Sequence, residues 1–75
     1  MPTVVKLGRV QIRMFADDHA PPHFHVWTPD GEALVLIDGL IMSRGVLRKQ
    51  DFEVAMEWAR DNIDLLQEYW IKLNG

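Results

Sequence analysis

At about Lys49 the spacing of apolar residues changes from two to 3.6, and that single change restricts what the chain can fold into. Before it, Val10, Ile12 and Met14 alternate with Gln11, Arg13 and Phe15, and Phe24 and Val26 alternate with His23, His25 and Trp27. After it, Phe52, Ala55, Met56, Ala59 and Ile63 fall at i, i+3, i+4, i+7 and i+11, one stripe of a helix. A run of strands followed by a run of helices has few packing solutions. The expected fold is α+β: a small antiparallel sheet of about four or five short strands, followed by one or two C-terminal helices packed on one face.

Turn chemistry divides the first half. Gly8-Arg9 joins strands over residues 4–7 and 10–15, since Gly8 supplies the positive φ of a tight hairpin. Thr28-Pro29-Asp30-Gly31-Glu32 presets a second corner between a strand at 23–28 and one at 32–37. The latter reads Ala33-Leu34-Val35-Leu36-Ile37 without alternation, which predicts a central strand covered on both faces. Asp38-Gly39 is a further turn, residues 40–42 a short strand, and Ser43-Arg44-Gly45 another turn before Val46-Leu47. In the helical half, Asp51 and Glu53 complement the dipole of the opening turn. Asn62 is a suitable N-cap for a second helix carrying Leu66, Trp70 and Leu73 on one stripe, a single long helix being the alternative. Lys72 suits the negative helix end and Gly75 its termination. One domain spans residues 1–75, with a β-rich part at 1–47, a His/Pro loop at 17–25 and a helical part at 48–75.

Composition excludes several classes of function. With no cysteine there is neither a disulfide nor a thiolate zinc site. No apolar run approaches the ~18 residues of a membrane span, and the first residues lack an export signal, so a cytoplasmic location is expected. The net charge of −3 does not favour nucleic acid. It is uneven: residues 1–50 carry six bases against five acids, and residues 51–75 carry two against six. Any phosphate contact would therefore use the N-terminal half. A high apolar content in so short a chain leaves room for a homodimer.

All three histidines lie within nine residues, in Asp18-His19-Ala20-Pro21-Pro22-His23-Phe24-His25-Val26. The two prolines stiffen the loop that delivers His19, and strand alternation points His23 and His25 to one face. Three chemistries fit. As metal ligands, His19, His23 and His25 would hold a divalent ion such as zinc, with Glu32 or Asp18 as a fourth ligand. As proton carriers, one or two histidines would act beside Arg13, Arg44 or Arg48 on a phosphate, as a small ribonuclease requires. As structure, they would bond backbone or Asp17 and Asp18, and the stiff loop with Trp27 and Arg13 would serve as a protein-docking surface. The absence of a complete catalytic set favours the last, with no cofactor required.

The Asp-His-x-Pro-Pro-His-Phe-His-Val run at 18–26 resembles the core motif of a bacterial family, the domain-of-unknown-function family numbered 4160. The opening Met1 to Val4, the strand at 10–15, Trp58-Ala59 and Trp70 extend the resemblance almost end to end. The family has no established activity. The resemblance implies a gene partner from a second small family of unknown function, numbered 2442, in a toxin-antitoxin-like pair, and hence a small cytoplasmic protein that works through a protein partner.

Overall fold

Gly8, at φ 64, and Arg9 close the first hairpin of a five-stranded antiparallel meander. The computed structural model describes residues 3–16 and 18–74. The strands are β1 (Thr3–Leu7), β2 (Val10–Arg13), β3 (His23–Thr28), β4 (Gly31–Leu36) and β5 (Ile41–Gly45), and they lie in the sheet in chain order. A short 3-10 turn, Asp38–Leu40, separates the last two, and helices α1 (Lys49–Asp61) and α2 (Ile63–Asn74) follow. The α+β architecture expected from the change of period is the one observed.

The alternation of β2 and β3 becomes the two faces of the sheet. Val10, Ile12, Phe24 and Val26 are fully buried, together with Val35 and Ile37, beneath Ala55, Met56 and Ala59 of α1 and Leu66 of α2. Opposite them, Gln11 pairs with Trp27 and Arg13 with His25, so the histidine face is shared with Arg13 and Gln11. Pro29 and Asp30 form a two-residue corner, because Thr28 pairs directly with Gly31. That register sets Trp27 against Glu32, His25 against Leu34 and His23 against Leu36.

Four local expectations are corrected. β4 does alternate in burial: Ala33 and Val35 are in the core, while Leu34 and Leu36 are only half-covered on the histidine face. Apolar residues at both sets of positions hid this, since hydropathy alone cannot register a half-open face. Ser43-Arg44-Gly45 is not a turn but the end of β5. Gly45 is there for close approach, because at φ +97 an added Cβ would lie 2.2 Å from the Glu32 carbonyl oxygen. The helical break falls at Asn62 as expected, but its side chain caps the other helix: its Nδ2 donates to the Trp58 carbonyl at 2.8 Å. Of the two acids, Asp51 alone lies in the first turn of α1. The roles expected for Asp17 and Gly75 lie outside the described residues.

Arg9 anchors α1 to the sheet, pairing with Asp30 in the β3–β4 corner and with Asp51 at 3.2 Å. Arg48 reaches the same Asp30 carboxylate at 2.9 Å. These contacts lie at the end of the sheet away from His23, and they leave the other end to α2.

Candidate functional site

At that other end the chain rises from β2 through Met14 and Phe15, turns back through the proline loop and enters β3 at His23. The Ala20–Pro21 peptide is cis. The Pro22 carbonyl accepts a hydrogen bond from the Ile37 amide at 3.1 Å, which carries the β3–β4 pairing one step into the loop. Asp18 is held at both ends: its amide donates to Asn74 Oδ1 at 2.7 Å, and its Oδ1 accepts from the His19 amide at 2.9 Å. Asn74 also donates to the Phe15 carbonyl at 3.3 Å, so the last turn of α2 ties the segment leaving β2 at two points.

This fastening leaves Asp18 Oδ2 free to face the rings. It lies 2.8 Å from His23 Nε2 and 3.5 Å from His25 Nε2. His23 Nδ1 is 2.8 Å from the Pro21 carbonyl. A carbonyl only accepts, so Nδ1 carries the proton and a neutral His23 presents a bare Nε2 to the carboxylate. His25 Nδ1 stands 3.7 Å from Glu32 Oε2, and its buried Nε2 has no hydrogen-bond partner. The ligand atoms of Asp18, His23 and His25 all lie within 4.8 Å of one another. Burial, the largest single influence, pushes the Asp18 carboxyl upward. The His19 amide, the neighbouring His23 and contacts from both rings outweigh it and hold the group below its ordinary value.

Aromatic packing fixes the rings. Trp70 of α2 lies 5.2 Å from His23 between centroids, Phe15 sits edge-on to His25 at 4.7 Å, and the two imidazoles are 5.4 Å apart. His23 is therefore only 5% exposed, so the histidine face is closed by α2 at this end and open further along. An open cleft of about 340 Å³ borders the cluster, lined among others by Asp18, His19, His23, Leu36, Ser43 and Arg44. A second hollow of about 180 Å³ joins His25, Glu32 and Arg44.

The expected residues are thus sorted. Asp18, His23 and His25 converge, with Glu32 beside them. His19 is exposed and enters through its backbone amide, so the side-chain atoms that come together are those of Asp18, His23 and His25, without the His19 ring. The loop brings the Asp18 carboxylate, expected only as a fourth ligand, to where the His19 ring was expected. Arg13 lies on the same face but is engaged by Gln11 Oε1 at 2.8 Å and stacks over Trp27 at 4.8 Å. Arg44 rims the cleft, whereas Arg48 is at the far end on Asp30 and cannot serve the cluster. Trp70 and Asn74 are the positioning residues that sequence spacing missed, and a separation of 56 residues from Asp18 to Asn74 leaves no local signal.

Fold and site together define a small α+β protein with a histidine–carboxylate cluster at one end of an antiparallel meander. Residues 10–71 match the family model described as Domain of unknown function (DUF4160), and the chain belongs to that family. No curated protein and no solved structure matches it. Among the described residues, no helix is long and apolar enough to cross a membrane.

Proposed function

We propose that this protein acts by binding a partner protein along the free edge of β5, as one component of a toxin-antitoxin-like two-gene module. The observation that supports this reading is the edge itself. Every residue of β5 is exposed, and Ile41, Met42 and the following Val46 are 58%, 41% and 81% exposed. An unprotected edge presents unpaired backbone donors and acceptors to an incoming strand, and these apolar side chains would give that strand something to bury. β5 also supplies Ser43 and Arg44 to the cleft beside Asp18 and His23, so a strand added there would lie at its mouth. Gene pairing, implied by the family resemblance, names the candidate partner as the neighbouring gene product.

Co-expression of untagged protein with that product tests the reading. The expected result is a complex that survives gel filtration at about 10 μM and is lost in an Ile41→Asp, Met42→Lys double variant, since charges on an edge strand oppose added strands. Absence of a complex, or a complex indifferent to the double variant, would overturn it. Pairing of two copies through β5 instead would make the edge a homodimer interface.

A second reading, a histidine-based metal-dependent or RNA-cleaving enzyme, is favoured by one observation: the Asp18–His23 contact borders a cleft rimmed by Arg44.

A further inference from the structure

We propose that Asp18 Oδ2, His23 Nε2 and His25 Nε2 bind one divalent transition-metal ion, zinc or ferrous iron by ligand type, with its remaining positions open to the cleft. The inference deepens the second reading above and is independent of the partner.

Because His23 donates from Nδ1 to the Pro21 carbonyl, its Nε2 is an acceptor 2.8 Å from another acceptor, Asp18 Oδ2. His25 meets the same difficulty when its proton is on Nδ1. With the proton on Nδ1, toward Glu32, its Nε2 is bare beside Asp18 at 3.5 Å; with the proton on Nε2, its Nδ1 is bare toward the Glu32 carboxylate at 3.7 Å. Acceptors crowded around one point need a cation between them. One added proton on His23 would satisfy that ring and leave His25 as it is. A metal ion satisfies both rings and the carboxylate together.

Geometry agrees with this choice. Metal–ligand distances of about 2.0–2.2 Å put ligand atoms about 3 Å apart for right-angled coordination and slightly further for tetrahedral. The separations from Asp18 Oδ2, 2.8 and 3.5 Å, bracket those values, and the two ring nitrogens, which lie within 4.8 Å of each other, draw together on loading. Two histidines and one carboxylate on one side of the ion, with the other positions open, is a donor set used by zinc and by non-haem ferrous iron. The groups behind the ligands are also those a metal site uses: a carbonyl on His23 Nδ1, a carboxylate toward His25 Nδ1, and a backbone amide on Asp18 Oδ1. Packing of His23 against Trp70 and of His25 against Phe15 holds both rings in place before any ion arrives.

Metal content of untagged protein purified without chelator, followed by calorimetric titration of the stripped protein with zinc and, without oxygen, ferrous iron, tests the proposal. The expected result is one equivalent per chain. Asp18→Asn is the decisive variant, because the amide can still accept from the His19 N–H and can donate to the bare His23 Nε2. It should keep the wild-type circular dichroism and lose at least about 100-fold in metal affinity, as should His25→Ala. His19→Ala should bind like the wild type. Binding retained by folded Asp18→Asn, or abolished by His19→Ala, would overturn the ligand set. No binding tighter than about 100 μM by the wild type would overturn the site itself and leave a proton between His23 and Asp18. None of these readouts depends on catalysis, so an inactive protein that binds metal would sink the enzyme reading alone.

Discussion

Asp18 shows how much one side chain can carry. Its two oxygens are divided between a backbone amide and a pair of imidazoles, and its amide is bound by a residue at the far end of the chain. The lowered carboxyl pKa has a definite sign for stability. A group whose folded-state pKa lies below its unfolded value of about 3.8 stabilises the fold above that value, and the contribution is lost as pH falls through the folded pKa. In stripped protein, the urea midpoint of the wild type should therefore drop more steeply than that of Asp18→Asn as pH falls below about 3.8, since the variant has no such proton to take up. Equal slopes would mean that the carboxylate is not stabilised in the folded protein. The sequence exposed this residue only partly. The Asp-His-x-Pro-Pro-His-Phe-His run marked the segment, and strand alternation put His23 and His25 together. Whether a carboxylate or a third imidazole met them depended on the course of a loop with no periodic signal.

Among the elements, β5 departs furthest from its expected form. Glycine after Ser43-Arg44 reads locally as a turn, yet Gly45 continues the strand and lies against Glu32 and Ala33 of β4. Gly8 and Gly45 separate two reasons for glycine. Gly8→Ala meets no neighbour and should cost about 1–2 kcal/mol, the penalty of a left-handed backbone in an L-residue. Gly45→Ala adds to that a Cβ inside contact distance of backbone atoms that have nowhere to go, and should cost clearly more, about 3 kcal/mol or above. Equilibrium urea unfolding of the two variants checks the order. If Gly45→Ala proved as mild as Gly8→Ala, the close approach of β5 to β4 would be wrong. The helices were more legible than β5, because their stripe of Phe52, Ala55, Met56 and Ala59 is a property of spacing and survives any detail of packing.

For the whole molecule, 75 residues give a core that is only just sufficient, and ligands count for a great deal. An ion present at about 100 times its dissociation constant adds about 2.7 kcal/mol to the folded state. In a domain of this size each kcal/mol moves Tm by about 4–8 °C, so chelation should lower Tm by about 10–20 °C and zinc or ferrous iron should restore it. Asp18→Asn should show no such dependence. A shift of equal size in that variant would place the responsible ion elsewhere on the protein. The fold supports this coupling: α2 closes over the site through Trp70 and Asn74, so loosening the cluster loosens the packing of the last helix.

The sequence by itself determined the α+β class, the order of strands before helices, a corner within residues 28–32 and the common face of His23 and His25. Each of these follows from period, from turn stereochemistry or from alternation, which act over a few residues and need no knowledge of what packs on them. Tertiary structure alone decided the rest. It brought Asp18 rather than the His19 ring to the cluster, closed α2 over His23, opened one face of β4, left β5 as a free edge and sent Arg48 to the opposite end. Those outcomes depend on contacts between residues far apart in the chain, such as Asn74 with Asp18 and Trp70 with His23, where nothing in the local pattern records the partner.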